Sequence, residues 1–135
     1  MFAYIITGLV AIEAIVIMVI EMFGSSKQQA EAFELEESFV KIPEVKSLLG
    51  NQGVYNGLFG ALIFATMFLL TGPQQILMLQ LEMLFILIAA IYGSLTAARK
   101  IILIQGLPAA IALLALYLKW KINFVRGLCG NNKVV

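Results

Sequence analysis

Four long apolar runs separated by polar breaks organise this chain of 135 residues. A helix needs about 20 predominantly apolar residues to cross a bilayer, and each run approaches or exceeds that length. The second and third breaks have room only for tight turns, so successive spans must run antiparallel. The pattern therefore predicts an all-α fold, an integral membrane four-helix bundle with up-down topology and both termini on one face. The predicted spans are residues 2–23, 54–72, 75–98 and 101–118.

The first break differs from the others because it contains a long charged segment, which we assign to an extramembrane loop at residues 24–46. Residues 30–39 are compatible with a short helix lying on the lipid headgroups or with a solvated connector. The acidity of the segment favours the connector. Pro43 suits the first turn of a helix, where its missing N–H has no partner to lose. The next helix is therefore expected to begin near Glu44.

Glycine and proline positions refine the predicted bundle. Gly72 and Pro73 mark a tight turn between the second and third spans, and Pro108 is expected to kink the fourth span. Three glycines share one face of the second span, where small residues let helices approach closely. Helix packing is a more frequent role for such a stripe than ligand binding. The stripe consists of Gly53, Gly57 and Gly60.

Composition supports a membrane protein and leaves no room for a second domain. Apolar residues make up 61% of the chain and charged residues 13%, whereas a soluble domain carries roughly 25% charged residues. Residues 1–126 are assigned to a single membrane domain and residues 127–135 to a flexible tail. No cleavable secretion signal is expected, because the first apolar run lacks a basic flank and exceeds the about 7–15 residues of a signal core.

Several chemistries are disfavoured by residue types that the sequence lacks. It has no histidine, and Cys129 is its only cysteine, so neither a zinc or copper site nor an internal disulfide is expected. The net charge of +1 provides no field for nucleic-acid binding. The sequence has neither a nucleophile–base pair nor a phosphate-binding loop. We therefore predict that the protein is not an enzyme and uses no metal or cofactor.

Glu13 and Glu82 are the two acidic residues in the interior of otherwise apolar runs. Ionisable side chains at that depth are costly and usually functional, and no basic residue lies within any predicted span. Each acid therefore needs a proton or a bound cation. In one hypothesis the two acids share a proton, directly or through a water molecule. In the other, each is permanently protonated and hydrogen-bonded to a backbone carbonyl.

Further polar residues gather in the membrane leaflet next to the 24–46 loop, although they come from all four spans. They line a partly hydrated cavity in one hypothesis, and in the other they hydrogen-bond between helices, each bond contributing about 0.6 kcal/mol. A glutamate is a poor choice for packing alone, which favours the cavity. The expected lining is Glu21, Asn56, Tyr92 and Gln105. The full set of predicted ligand- or proton-binding residues is Glu13, Glu21, Asn51, Gln52, Tyr55, Asn56, Glu82, Tyr92 and Gln105.

Short motifs in a fixed order carry a resemblance to a known family. They are Val10-Ala11-Ile12-Glu13, Ile20-Glu21-Met22-Phe23, Asn51-Gln52-Gly53-Val54-Tyr55-Asn56-Gly57, Ile91-Tyr92-Gly93, Arg99-Lys100-Ile101 and Gln105-Gly106-Leu107-Pro108-Ala109. Over roughly residues 4–118 the sequence resembles the small bacterial four-helix membrane family known as domain of unknown function 1304. The resemblance implies a multi-pass protein of the bacterial plasma membrane and no particular activity. It also implies a histidine directly after Glu13, where this chain carries Ala14, so no acid–histidine pair is expected.

The predicted function is a small transporter or permeation protein for a cationic or proton-coupled solute. A homodimer is part of this hypothesis, because four helices seldom enclose a solute pathway alone. The alternative is a non-transport membrane protein that binds or scaffolds a lipid, a peptide or another membrane protein. The expected partners are the lipid bilayer, a second copy of the chain and a small solute or lipid. Orientation is not determined, because five basic residues lie on the loop face and four on the other.

Overall fold

The computed structural model describes residues 1–130, with side chains described through residue 125. These residues form an all-α bundle whose elements are α1 (Phe2–Phe23), α2 (Ser26–Phe33), α3 (Glu37–Val40), α4 (Pro43–Leu69), α5 (Gly72–Thr96), a π-helical turn (Ile102–Gly106) and α6 (Leu107–Gly130). Helices α1, α4 and α5 and the continuous segment Ile102–Val125 are each long and apolar enough to cross a membrane. The predicted fold class is therefore confirmed.

Element boundaries depart from the predicted spans mainly at α4 and α6. Helix α4 begins at Pro43, next to the start expected near Glu44 and well before the predicted span at residue 54, because the proline occupies its first turn and nothing interrupts the helix afterwards. The connector is correspondingly shorter than residues 24–46. Helix α6 continues to Gly130, so the predicted tail at 127–135 is helical in its first part, and residues 131–135 lie outside the described structure.

The connector between α1 and α4 contains two short helices instead of one helix at residues 30–39. The break falls at Glu34, which adopts a left-handed conformation with φ 57° and ends α2. Ser25 begins α2 with a capping box, in which its hydroxyl accepts from the Gln28 backbone N–H. The Gln29 amide donates to the Ile20 and Glu21 carbonyls at 3.2 and 2.9 Å. The connector thereby folds back onto the end of α1 and satisfies its last carbonyls.

The closest helix pair is α1 with α4, and the predicted glycine stripe forms the contact. A Cβ added at Gly60 would lie 2.7 Å from the Ala11 carbonyl oxygen, and one at Gly53 would lie 2.6 Å from Met22 Cγ. At Gly57 an added Cβ would meet Met18. Only glycine permits this approach of the two backbones, so the stripe packs helices as expected.

The centre of the bundle is a buried apolar layer to which all four long helices contribute. Its largest members are fully buried and come from α1, α4, α5 and α6. They are Val10, Ile63, Leu79, Met83 and Leu116. This layer separates the half of the bundle near the connector from the half near the α4–α5 turn.

At the turn end, Gln75 holds α4, α5 and α1 together. Its amide donates to the Met67 and Leu70 carbonyls at 2.8 and 2.7 Å, which satisfies the exposed end of α4. Its amide oxygen accepts from the Tyr4 hydroxyl at 2.6 Å. Both the amide nitrogen and the amide oxygen of Gln75 therefore have partners, and the first turn of α1 is fixed against the α4–α5 turn.

The predicted kink at Pro108 takes the form of a π-helical turn just before the proline. The Leu107 N–H donates to the Ile102 carbonyl, five residues back. Proline cannot donate to the preceding turn, and one extra residue in that turn relieves the clash of its ring. The extra residue rotates the side chains that precede it, and Gln105 thereby faces the interior between α1, α4 and α5.

Candidate ligand-binding cleft

A cleft lies between α1, α4, α5 and the π-helical turn, in the half of the bundle that carries the connector. It consists of an inner cavity of about 300 Å³ and an outer cavity of about 610 Å³. The two adjoin at five shared lining residues, Glu13, Gln52, Asn56, Ala89 and Gln105. One carboxylate and three amides therefore lie where the two cavities meet.

The walls of the inner cavity are largely apolar and aromatic. Phe59 on α4 stacks on Phe85 on α5, with ring centroids 4.7 Å apart and an interplanar angle of 21°. Tyr55 lies one turn from Phe59 on the same helix and also lines the cavity. Small side chains of α1, Val10 and Ala14, form the opposite wall. An aromatic wall around one acid suits a ligand that is mainly apolar.

Glu13 is the acid of the inner cavity, and one of its carboxylate oxygens is buried without a partner. Among residues 1–125, nothing donates a hydrogen bond to Glu13 Oε1, although the atom is sealed from solvent. None of the ion pairs found in that part of the chain includes Glu13. Buried polar atoms are normally satisfied. Glu13 therefore has unused capacity for a proton, a water molecule or a bound donor.

Glu21 lies in the outer cavity and has a protein partner. The Asn56 side-chain amide donates to Glu21 Oε2 at 2.7 Å, and only 3% of Glu21 is exposed. Asn56 also lines both cavities. This bond fixes Glu21 against α4, so Glu21 is held more firmly than Glu13.

The connector covers the mouth of the outer cavity. Ala32, Phe33 and Leu35 contribute to its lining. Lys100 also lines it, and its ammonium group donates a hydrogen bond to the Glu31 carbonyl near the end of α2. The C-terminal end of a helix is a favourable place for a cation. The Arg99 backbone N–H donates to the Glu34 carboxylate at 3.2 Å. These contacts hold the connector on the loop that follows α5.

The structure brings six of the nine predicted site residues together and leaves three elsewhere. The six that line the cleft are Glu13, Glu21, Gln52, Tyr55, Asn56 and Gln105. Asn51 is exposed and lines neither cavity. Tyr92 is 69% exposed, because its neighbours Ala89 and Gly93 present the inner face of α5 while Tyr92 points outward. The expectation that Tyr92 lines the cavity is corrected accordingly.

Glu82 is the third residue outside the cleft. It is 3% exposed, and its Oε1 accepts from the Thr66 hydroxyl at 2.6 Å, joining α5 to α4. Its other oxygen has no partner among the described side chains and backbone groups. Glu82 lines neither cavity, so sharing of a proton with Glu13 stays a hypothesis that these contacts do not support directly.

Several residues of the cleft and its frame were not anticipated from the sequence. Phe59 and Phe85 are apolar residues in apolar runs, and nothing in such a pattern distinguishes a cavity wall from a lipid-facing residue. Gln29 and Gln75 cap helices from positions near polar breaks, where a glutamine is unremarkable. Their signal is positional, since each follows the end of a long helix by a few residues.

The cleft can accept hydrogen bonds or a positive charge in largely apolar surroundings. Two carboxylates, one of them unpartnered, face a volume large enough for a small organic solute. Within the described residues, no group of three or more histidine, cysteine, aspartate or glutamate side chains is arranged to hold a metal ion. The cleft is therefore suited to bind a hydrogen-bond donor or a cation.

The fold and the cleft define a small all-α protein with four helices suited to a membrane and an acidic cleft near one end. Residues 8–117 match the family described as "Protein of unknown function (DUF1304)", and the chain belongs to that family, as the sequence motifs predicted. The chain is 40% identical over 113 residues to the "Uncharacterized protein YpaA" of Lactococcus lactis subsp. lactis (strain IL1403), covering 82% of this chain and 92% of that relative. No solved structure matches.

Proposed function

We propose that the protein is a multi-pass plasma-membrane transporter, and not an enzyme, that binds a small apolar cation in the cleft and exchanges it for protons. The observation that carries this proposal is the buried, unpartnered Oε1 of Glu13 at the junction of the two cavities. A carboxylate in such surroundings needs a proton or a cation. If a proton and the cation occupy the Glu13 carboxylate alternately, transport of the cation is coupled to transport of protons in the simplest way.

The lining favours an organic cation over a small hydrated ion. Selective binding of an inorganic cation needs several oxygen ligands around one point, whereas the inner cavity presents one carboxylate against stacked aromatic rings. Aromatic faces attract a poorly hydrated organic cation. The amides of Gln52, Asn56 and Gln105 then provide directional contacts to its polar part.

The closed end of the cleft is compatible with one state of an exchange cycle. The apolar layer that includes Val10 and Leu79 is fully buried, so the cleft ends within the bundle. Opening toward the other end requires α1 and α4 to move relative to α5 and α6. Tyr55 and Phe85 line the cleft and are exposed on the outside of the bundle. We propose that a second copy covers this side, giving the homodimer.

A non-transport binding protein is the second candidate, and the same closed end favours it. A cleft that opens only on the connector half, with Phe33 and Leu35 at its mouth, suits capture of a lipid or peptide segment from that side. In this case the bundle would not change conformation, and occupancy of Glu13 would not depend on a proton gradient. Flux measurements separate the two candidates.

The test uses purified full-length protein in proteoliposomes with an imposed pH gradient and tetraphenylphosphonium as the probe. Wild type should accumulate the cation in a gradient-dependent manner. Glu13→Gln keeps the shape of the protonated acid and removes titration, so gradient-driven uptake should fall to the level of empty liposomes. Glu82→Gln is the matched control, because it makes the same change in a buried acid outside the cleft and should retain most of the flux.

The outcomes distinguish the two candidate functions. Full gradient-dependent uptake by Glu13→Gln would contradict the proposed site. Equal loss of gradient-driven uptake in both variants would show that coupling depends on the two buried acids together and not on the cleft alone. Saturable binding of the probe by wild type without any flux would support the non-transport candidate. Thermal unfolding of each variant in detergent checks that the fold is intact.

A further inference from the structure

A second pocket lies at the opposite end of the bundle, among the start of α1, the α4–α5 turn and α6. Its volume is about 510 Å³. It is distinct from the cleft, because no residue lines both. Its polar and aromatic lining includes Tyr4, Lys119, Trp120, Asn123 and Phe124.

Lys119 is the charged group of this pocket. Its ammonium nitrogen lies 3.5 Å from the centroid of the Tyr4 ring, a cation–π contact. The side chain is partly buried, and within residues 1–125 it has neither a carboxylate partner nor a hydrogen-bond acceptor. The sequence contains no acidic residue after Glu82 and none before Glu13. Among the described residues, no carboxylate lines the pocket to neutralise the lysine.

The groups around Lys119 are held in place. The Tyr4 hydroxyl donates to the Gln75 amide oxygen at 2.6 Å, which fixes the ring under the ammonium group. Trp120 stacks on Phe124 with centroids 5.5 Å apart. Aromatic residues beside a lysine at the end of a membrane helix are typical of the headgroup region. The pocket thus presents a preorganised cation among residues typical of the headgroup region.

An apolar groove of about 560 Å³ continues from this pocket along α6. It shares Lys119 and Asn123 with the pocket, and Met1 and Phe2 contribute to its lining. From Lys119 toward the middle of the bundle, its wall on α6 extends to Ile111, about 12 Å along the helix axis. The hydrocarbon core of one leaflet is about half of the 30 Å bilayer core. The groove therefore covers most of the depth of one leaflet.

We propose that Lys119 binds the phosphate of an anionic phospholipid whose acyl chain lies in this groove. The unneutralised ammonium group supplies the charge, Tyr4 and Trp120 supply the interfacial frame, and the groove distinguishes a lipid from a free anion. This site is independent of the cleft and of the function proposed for it. Anionic lipids attract basic segments at the cytoplasmic leaflet, so the proposal also orients both termini toward the cytoplasm.

The test measures lipid binding to the full-length protein by native mass spectrometry and by lipid-dependent thermal shift. The probes are phosphatidylglycerol, phosphatidylcholine with the same acyl chains, and inorganic phosphate. At about 0.15 M salt the Debye length is about 8 Å, which suppresses diffuse surface attraction. Lys121 is the matched control because it is exposed and lies two residues further, about 200° around the helix axis.

Phosphatidylglycerol should bind and stabilise wild type more than phosphatidylcholine does, and inorganic phosphate should do neither. Lys119→Gln should weaken phosphatidylglycerol binding by about tenfold, whereas Lys119→Arg and Lys121→Gln should stay within about threefold. Equal losses for the two glutamine variants would overturn the proposal in favour of diffuse charge. Stabilisation by inorganic phosphate alone, or equal binding of the two lipids, would also overturn it, and both comparisons need only the wild-type protein.

Discussion

Helix α4 has two sides that pack in different ways. Toward α1 it presents glycines, and the backbones approach until an added Cβ at Gly60 would collide with the Ala11 carbonyl. Toward α5 it is joined at the turn end by Gln75 and by the Thr66–Glu82 hydrogen bond. Nearer the connector the cleft lies between the two helices.

This difference makes the α1–α4 contact rigid and the α4–α5 contact adaptable. The α1–α4 contact depends on backbone proximity, which no side-chain rearrangement can replace. The α4–α5 contact depends on a few polar bonds and one aromatic stack, Phe59 on Phe85. A ligand in the cleft therefore meets one rigid wall, which carries Glu13, and one wall that side-chain movement can reshape.

The largest expected effect is at Gly60, which tests the rigid side. The Cβ of Gly60→Ala would lie 2.7 Å from the Ala11 oxygen and 2.9 Å from Ile15 Cγ1, so the α1 backbone must shift. We expect a loss of about 3 kcal/mol in the free energy of unfolding, at the upper end for overpacked sites. Thermal or denaturant unfolding in detergent measures it.

Gly50→Ala is the matched control on the same helix. No heavy atom lies within 4 Å of an added Cβ at Gly50, and alanine is the better helix former by about 0.5–1 kcal/mol. This variant should be as stable as wild type or slightly more stable. If Gly60→Ala behaves like Gly50→Ala, the α1–α4 contact is not rigid and the comparison fails.

The next effect is at Gln75, which tests the joined end of the α4–α5 side. Gln75→Leu removes the donor to the Met67 and Leu70 carbonyls and the acceptor for Tyr4. Interhelical polar bonds contribute about 0.6 kcal/mol each on average, so about 1–2 kcal/mol of stability should be lost. Gln74→Leu changes an exposed neighbour and should have no measurable effect. Equal melting temperatures for the two variants would show that α4 and α5 are held by other contacts.

Much of the bundle was predictable, because runs of apolar residues long enough to cross a bilayer leave few alternatives. The polar residues within those runs pointed to the cleft for the same physical reason, since Glu13, Asn56 and Gln105 are costly anywhere but an interior. These residues line the cleft; whether they bind a ligand or a proton stays a prediction.

The rotation of α5 about its axis could not be read from the sequence. Between Glu82 and Tyr92 the helix carries no charged or amide side chain, so polarity within that stretch does not show which residues face inward. Tyr92 therefore looked like a lining residue, although Ala89 and Gly93 take that position. The π-helical turn escaped prediction in the same way, because a proline indicates a distortion and not which kind.

The smallest effect is expected for the ion pair of Lys41 and Glu37. This pair lies in the connector and belongs to neither of the two packed sides of α4. The hydrogen bond from Lys41, at 2.7 Å, and then its charge, lower the pKa of Glu37 below its ordinary value. The pair therefore contributes at pH above that ordinary value, about 4.3, and its contribution disappears as the pH falls through the lowered pKa of the folded state. Both side chains are exposed, so solvent and salt screen the attraction.

Lys41→Gln should leave the melting temperature at pH 7 unchanged within error, and the mutant and wild type should lose stability in parallel on acidification. A clear drop at pH 7 that vanishes at low pH would show that this pair helps to hold the connector over the cleft, a role assigned above to the contacts of Lys100 and Glu34.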